Sequence, residues 1–392
     1  MLEQLSREDT PDGLPFSLGF RVEPGSSLIF IRSSSARAVG STAGSFQEQL
    51  GDSLRFIKQA AASVSSVARI AKVRYYLTTS SEQRGPYGGR EYRNPRARAI
   101  WADVVGTPLT ASTSLQVAGS PLLGSFVDVE AWAIAPSASI TSDIVRVPGD
   151  GVLPSAVAVR GEHRLCIAAV RPEPGDRAEV ELLSCLTQIQ QRFAEHDAGP
   201  DDVLKLTVYY RDPRSWPMIE AVVAGMFAGH CPVVNGVVVS NVQTPEGHVE
   251  VTGWARCGAG DDGTPRSGSA TVDLKDRLLV TTGSGALPIF SGGQASAMYK
   301  HDPPPTIEEQ SHLGMANQKA VLESAGASFA DVFRSNWYLT DMRDWDVVEP
   351  IISSYFPNGV LPVPMATEVS RLTAKQGVRI EPDLWAALPA AR

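Results

Sequence analysis

The sequence predicts an α+β protein made of three tandem copies of one unit, each running strands, helix, strand, helix, strands. Three observations lead there. A chain of 392 residues is longer than one hydrophobic core usually serves. The same order of apolar-periodic segments can be traced three times, and a fixed long period is the mark of repeated units. Two aromatic anchors recur with that order: Tyr76, Tyr209 and Tyr338 at separations of 133 and 129, and Trp132, Trp254 and Trp385 at separations of 122 and 131. The units span 14–136, 144–257 and 268–390, with Ser-, Gly- and Pro-rich linkers at 136–143 and 258–268.

In the first unit, SLIFIRS (27–33) opens as a strand, and SFQEQLGDSLRFIKQAAASV (45–64) follows as a helix. AKVRYYLTT (71–79) is the next strand, a helix lies around 91–104, and TSLQVAG (113–119) and FVDVEAWAI (126–134) close the unit. The second unit opens with strands in VAVRGEHRLCIAAVRP (157–172), continues with a helix at 182–199, a strand at 204–212 and a short helix at 217–227, and closes with strands at 236–242 and 248–255. The third unit has strands within 272–288, a helix at 316–327 ending at Gly326, a strand at 333–341, a helix at 344–356, and closing strands at 366–372 and 377–388. The anchor Tyr and Trp residues are read as core.

Composition narrows the function. Charged residues make up 20% and hydrophobic residues 43%, an ordinary globular balance. A net charge of −8 gives no general attraction to nucleic acid or anionic lipid, so neither is expected as a partner. Cys166, Cys185, Cys231 and Cys257 match neither a zinc knuckle nor a CxxC pair and are read as buried thiols in a reducing cytosol. The polar start MLEQLSREDTPDG has no apolar core of a leader, and no run reaches the ~18 apolar residues of a membrane span, so a cytoplasmic location is expected. His163, His196, His230, His248, His301 and His312 have no ligand spacing, and Walker, zincin and nucleophile-elbow motifs are missing, so no metal and no organic cofactor is expected.

The stretch NQKAVLESAGASFADVFRSNWYLTDMRDW (317–345) resembles the YjgF/YER057c/UK114 (RidA) family. SGALP (284–288) is similar to that family's Ser-Gly-x-Ile-Pro strand end, and EVSRL (368–372) to its penultimate strand. VLKLTVYYRDPRSW (203–216) carries the resemblance in the second unit, and AKVRYYLTT with VDVEAWAI in the first. The resemblance implies chorismate mutase-like units, each a mixed sheet packed on two helices. It further implies that three ring one axis as a single-chain pseudo-trimer, monomeric apart from weak dimerisation, with clefts for small anionic metabolites between neighbours. Relatives of this type hydrolyse enamine and imine intermediates, and chorismatases look like a related two-copy arrangement.

The imine deaminases hold the substrate carboxylate with an arginine on the penultimate strand, a planar and permanently charged donor. That position falls on Ser112, Val234 and Pro364, and no arginine lies between Arg98 and Arg146, Arg214 and Arg256, or Arg343 and Arg371. Ordinary imine deamination is therefore not expected. The family's last-strand acid corresponds to Glu130 in the first unit and Asp383 in the third, while the second has Thr252. In an apolar cleft such a carboxyl would have a raised pKa and serve in proton transfer.

The third unit keeps the pattern best. The expected site there uses Ser284 and Gly285 as hydrogen-bond donors, Arg371 as a displaced anion clamp and Asp383 as acid or base, with Glu130 the rival acid in another cleft. Arg96 and Arg98, in REYRNPRAR (90–98), are candidates to hold an acidic ligand. The expected function is RidA-like acid–base lyase, hydrolase or tautomerase chemistry in specialised metabolism, its sharpest version chorismatase-like. Metabolite or partner binding without catalysis is the competing reading, and RNA cleavage a weaker third.

Overall fold

The computed structural model describes residues 3–9, 15–22, 26–34, 45–78, 99–100, 102–104, 111–119, 124–136, 144–148, 154–160, 165–170, 172, 175–195, 197–227, 232–240, 242, 247–256, 280–281, 288–291, 302–324, 327–359, 362–372 and 376–387. Within them the chain runs β1 (Glu3–Asp9), β2 (Pro15–Val22), β3 (Ser26–Ser34), α1 (Phe46–Val64), β4 (Arg69–Thr78), β5 (Ala111–Val117), β6 (Val127–Pro136), β7 (Ile144–Pro148) and β8 (Pro154–Arg160). It continues with β9 (Leu165–Val170), α2 (Ala178–Ala194), β10 (Val203–Tyr210), α3 (Trp216–Met226), β11 (Val233–Val238), β12 (Val249–Arg256), β13 (Val280–Thr281) and β14 (Pro288–Ser291). It ends with α4 (Ile307–Ser324), β15 (Val332–Leu339), α5 (Trp345–Ser353), β16 (Val363–Glu368) and β17 (Ile380–Ala387).

The strands form three mixed sheets, ordered β5-β4-β6-β3-β8-β7, β1-β2-β9-β12-β10-β11 and β13-β14-β17-β15-β16. Each contains the same trio: a strand parallel to one neighbour and antiparallel to the other, β4 between β5 and β6, β10 between β11 and β12, β15 between β16 and β17. A helix covers one face of each trio with an apolar stripe. Leu50, Leu54 and Ile57 pack on Val73 and Val129; Leu182, Leu186, Ile189 and Phe193 pack on Leu206 and Val251; Met315, Val321 and Leu322 pack with Trp337 and Leu384.

One polar device recurs at the fourth residue of each of these helices. Gln49 accepts from the Phe126 amide at 2.8 Å, Glu181 from the His248 amide at 2.6 Å, and Gln310 from the Arg379 amide at 2.8 Å. Each amide lies one residue before β6, β12 or β17, so the helix start is fastened to the entry of the strand beside it. Local chemistry sets the ends. Ser45 and Glu48 form a capping box on α1, and Asp197, with φ 57, takes the left-handed turn that stops α2 while the Ala198 amide donates back to Phe193. Asp212 and Asp341 cap the turns leading into α3 and α5 by accepting from the Arg214 and Arg343 amides, both at 2.9 Å.

Several expectations need correcting. The helix expected at 316–327 begins at Ile307, because buried Ile307, Gln310 and Ser311 continue its inner face through a polar-looking run. Of the opening strands expected for the second unit in 157–172, β8 pairs instead with β3 of the first sheet, while β9 pairs with β2 and β12 of the second. The N-terminal strand β2 therefore lies in the second sheet, and 144–160 lies in the first, so each supplies a partner to an otherwise open edge. Of the helix expected at 91–104, residues 99–100 and 102–104 are described, and they are helical. The linker 258–268 lies outside the described residues. No helix among the described residues is long and apolar enough to cross a membrane.

The sheet faces turned away from the helices meet one another. Tyr76, Leu115 and Val117 from the first sheet, Tyr209, Val237 and Val239 from the second, and Tyr338, Met365 and Val369 from the third make one apolar cluster. Backbone hydrogen bonds join the sheets beside it, Ala118 to Glu368 at 3.1 Å and Ser240 to Gln116 at 2.8 Å.

Candidate active site at the junction of the three sheets

Strand alternation sends every second residue of β4, β10 and β15 toward the junction. The ladder registers pair those residues level by level. The first level holds Lys72 opposite Trp132, Lys205 opposite Trp254 and Arg334 opposite Trp385; the second, Arg74 opposite Glu130, Thr207 opposite Thr252 and Asn336 opposite Asp383. The third holds Tyr76 opposite Asp128, Tyr209 opposite Glu250 and Tyr338 opposite Glu381. All of these side chains are buried. Charge this deep requires partners, since an unpaired buried ion costs several kcal/mol, on the order of the stability of a whole domain.

The partners come from the neighbouring sheet. Arg334 of the third sheet donates to Glu130 Oε2 of the first, while Arg74 donates to Oε1 at 2.7 Å and the Tyr76 hydroxyl lies 3.2 Å from the same oxygen. Lys205 of the second sheet donates to Asp383 Oδ1 of the third at 2.6 Å. Asp383 Oδ2 accepts from Asn235 at 3.1 Å, Asn336 at 3.2 Å and Trp385 Nε1 at 3.4 Å. Aromatic faces cover the cations: Arg74 lies 4.9 Å and Arg334 5.2 Å from the Trp132 ring centre, and Arg334 4.3 Å and Lys205 5.2 Å from that of Trp385. Trp254 meets Trp132 and Trp385 edge-on, at 6.4 and 5.0 Å between centres.

Glu130 thus lies where the first and third sheets meet, and Asp383 where the second and third meet. The expectation of a raised Glu130 pKa is overturned: burial pushes it up, but the Arg334 and Arg74 guanidiniums outweigh burial and hold it below the ordinary carboxylate value. Lys205 is pushed down by burial, with Asp383 opposing. Burial drives Tyr76 and Tyr338 well above the usual phenol value.

Arg371 is exposed beyond β16, and among the described residues no ion pair joins it to Asp383. Ser284, Gly285, Arg96 and Arg98 lie outside the described residues. Ser112, Val234 and Pro364 occupy one ladder level, paired with Val73, Leu206 and Ser335, and Val234 packs against the helix-side core. The cations at the junction come instead from β4, β10 and β15. Their signal was present in the sequence, because Lys72, Lys205 and Arg334 each stand four residues before the anchor tyrosine of their strand. No group of three His, Cys, Asp or Glu side chains placed to hold a metal occurs among the described residues.

A family model described as Endoribonuclease L-PSP matches residues 277–388. The mitochondrial protein mmf2 of Schizosaccharomyces pombe is 34% identical over 108 residues, covering 26% of this chain and 82% of that protein. A RutC family protein of Pyrococcus abyssi is 42% identical over 66 residues, 17% of this chain and 51% of that protein. The first RutC relatives are matched over only 51% to 62% of their own length. A chorismatase crystal structure aligns with TM-score 0.49 at 11% identity, covering 81% of this chain and 93% of that one. The match to mmf2 across most of its length, with the family model on the third sheet and α4, makes this chain a member of the YjgF/YER057c/UK114 (RidA) family.

Proposed function

We propose that the chain is three tandem RidA-like units folded as a single-chain pseudo-trimer, acting as a small-molecule enzyme of specialised metabolism. It carries out acid–base lyase, hydrolase or tautomerase chemistry on a carboxylated metabolite at the sheet junction. The recurrence of the Gln49, Glu181 and Gln310 fastenings supports the tandem reading. One observation carries the substrate class. Arg334 Nη1, Arg74 Nε and Trp132 Nε1 are buried donors that find no acceptor among the described residues, and both guanidiniums lie over the Trp132 ring. Buried donors left unsatisfied cost about 1–3 kcal/mol each, and a carboxylate is the acceptor that guanidinium geometry suits best.

The substrate is thus held by β4 and β15 instead of by the penultimate-strand arginine of imine deaminases. Glu130, kept ionised by its two guanidiniums, holds them in place for the substrate carboxylate. Asp383 and Lys205 form a proton-carrying pair, because the lowered Lys205 pKa makes its ammonium a readier donor than a free lysine. The test is stabilisation of the folded chain by pyruvate, 2-oxoglutarate and chorismate against their methyl esters. Acids that raise the melting temperature in the native chain and not in Arg334→Met are expected; esters that stabilise equally would refute the reading. Pyruvate release from chorismate tests the chorismatase-like version. The four donors held on Asp383 favour a second reading, binding without turnover, which predicts the same stabilisation with no product.

A further inference from the structure

The fastening between helix start and strand entry differs among the three sheets. In the first, Gln49 accepts from the Phe126 amide and its Nε2 donates to the Gly124 carbonyl at 3.0 Å. In the third, Gln310 accepts from the Arg379 amide and donates to the Gly377 carbonyl at 2.9 Å. Each glutamine thus ties two backbone groups two residues apart, and a neutral amide suffices. The second sheet has Glu181 there, which has no N–H to give. Its Oε2 accepts from the His248 and Val249 amides, at 2.6 and 3.1 Å, and its Oε1 lies 3.0 Å from His248 Nδ1. A carboxylate that is 1% exposed carries a desolvation cost that glutamine avoids, and what the exchange adds is a hold on an imidazole. The residues at the His248 position in the other two sheets are Phe126 and Arg379, so among the three the acid accompanies the histidine.

We propose that His248 is a nucleophilic histidine that takes a phosphoryl group from a small anionic phosphoryl donor, at a site separate from the sheet junction. With Glu181 accepting, Nδ1 carries the ring proton and Nε2 keeps the lone pair. The His248 side chain is 39% exposed while the carboxylate beneath it is buried, so the ring is reached from solvent with its inner nitrogen already engaged. The main chain holds it too, since the His248 carbonyl accepts from the Arg211 amide at 3.1 Å. The Arg211 side chain folds back on the Gly247 carbonyl, Nη1 at 3.4 Å, which sets a permanent positive charge at the neighbouring residue. Phosphoryl transfer through a loose transition state asks chiefly for a positioned nucleophile and nearby positive charge, and this site has both. Nε2 attacks phosphorus, the new P–N bond forms, and the donor's bond to its leaving group breaks; ammonia departs from a phosphoramidate, a carboxylate from an acyl phosphate. The positive charge that develops on the ring is met by Glu181, and no oxidant or reductant is needed.

The site uses neither Glu130 nor Asp383, so it stands or falls apart from the proposed function. The experiment is incubation of the full chain with potassium phosphoramidate at pH 7.5, followed by phosphorus NMR and peptide mapping under alkaline conditions that keep a phosphohistidine intact. One acid-labile phosphoryl group is expected on the His248 peptide, formed at least tenfold faster than on His163, His196, His230, His301 or His312. Glu181→Gln introduces the side chain that does the fastening in the other two sheets, so it should fold, and labelling of His248 should fall at least tenfold; His248→Phe should abolish it. A carboxylate that only fastened the helix would leave the labelling rate unchanged. Even labelling of all histidines, none on His248, or an undiminished rate in folded Glu181→Gln would overturn the proposal. If Glu181→Gln does not fold, the ranking of the histidines in the native chain decides alone.

Discussion

Replacing Glu130 by glutamine removes the anion between two buried guanidiniums while keeping the shape of the side chain. The carboxylate accepts from Arg74 at 2.7 Å and from Arg334, and all three side chains are at most 3% exposed. A glutamine side chain there could accept through one oxygen only, and its amide would turn a donor toward the other guanidinium. Breaking a buried pair by removing one partner costs about 3–5 kcal/mol, and here two cations lose one counter-ion, so the upper end applies. At roughly 2.1 cal/mol/K of unfolding entropy per residue, a cooperatively melting chain of this length would lose about 6 °C. Calorimetry with urea unfolding measures it. The pH dependence supplies a second arm with a defined sign. Because the folded pKa of Glu130 is lowered, its contribution is complete above the unfolded value near 4.5 and is lost as pH falls through the folded pKa. Glu130→Gln should therefore flatten the acid limb of the stability curve below about pH 4.5. A folded variant within about 1 kcal/mol of the native chain, with an unchanged acid limb, would refute the counter-ion role.

Asp383→Asn should cost about 3 kcal/mol, because it strands the Lys205 ammonium, and should lower any turnover found by ~10²-fold; a stable variant with full activity would remove Asp383 from the mechanism. Light scattering should give a monomer of 41.9 kDa, since covalent linkage replaces chain association; a trimer of full chains would refute the pseudo-trimer. Freshly generated 2-aminoacrylate should be hydrolysed no faster than in buffer, measured by coupled detection of pyruvate, because β5, β11 and β16 carry no arginine and the guanidiniums of β4 and β15 stand elsewhere on the sheets; acceleration comparable to an arginine-bearing relative would refute this.

The part of the fold that reads from sequence is the part governed by local periodicity. Helices α1, α2 and α3 and strands β4, β10 and β15 fall within a few residues of their expected positions, because each carries an apolar stripe or alternation that needs no knowledge of its neighbours. The errors arise where the partner decides. The strands β8 and β9 are close in sequence and read together as the opening of the second unit, yet β8 pairs with β3 and β9 with β2 from elsewhere in the chain. Glu130 and Asp383 could be found from the last-strand pattern, but not their charge state. The cations that fix it, Arg334 for Glu130 and Lys205 for Asp383, lie 204 and 178 residues away. The repeated cation four residues before each anchor tyrosine was legible; reading it required treating a charge inside an apolar strand as aimed at a partner rather than at solvent.

Encoding three sheet junctions in one chain frees them to differ, and their differences follow one rule. In an association of identical chains, a Thr at the last-strand acid position would appear at every junction and leave three buried cations without their carboxylates at once. Here the position reads Glu130, Thr252 and Asp383, and the cations on the two acids differ: two guanidiniums on Glu130 and one ammonium on Asp383. Arginine is retained where the acid must stay charged at full burial, because a guanidinium cannot give up its proton. Lysine stands at the corresponding level of β4 and β10, where the group can lose its charge when desolvation wins, and both Lys72 and Lys205 have lowered pKa values. Exchanging the types should therefore separate the roles. Arg334→Lys would put a cation that can lose its charge beside Glu130 and destabilise the chain more than Lys205→Arg, which keeps a permanent charge on Asp383. Urea unfolding of the two variants decides it, and equal losses would mean that the acid at the neighbouring position does not set the choice of cation.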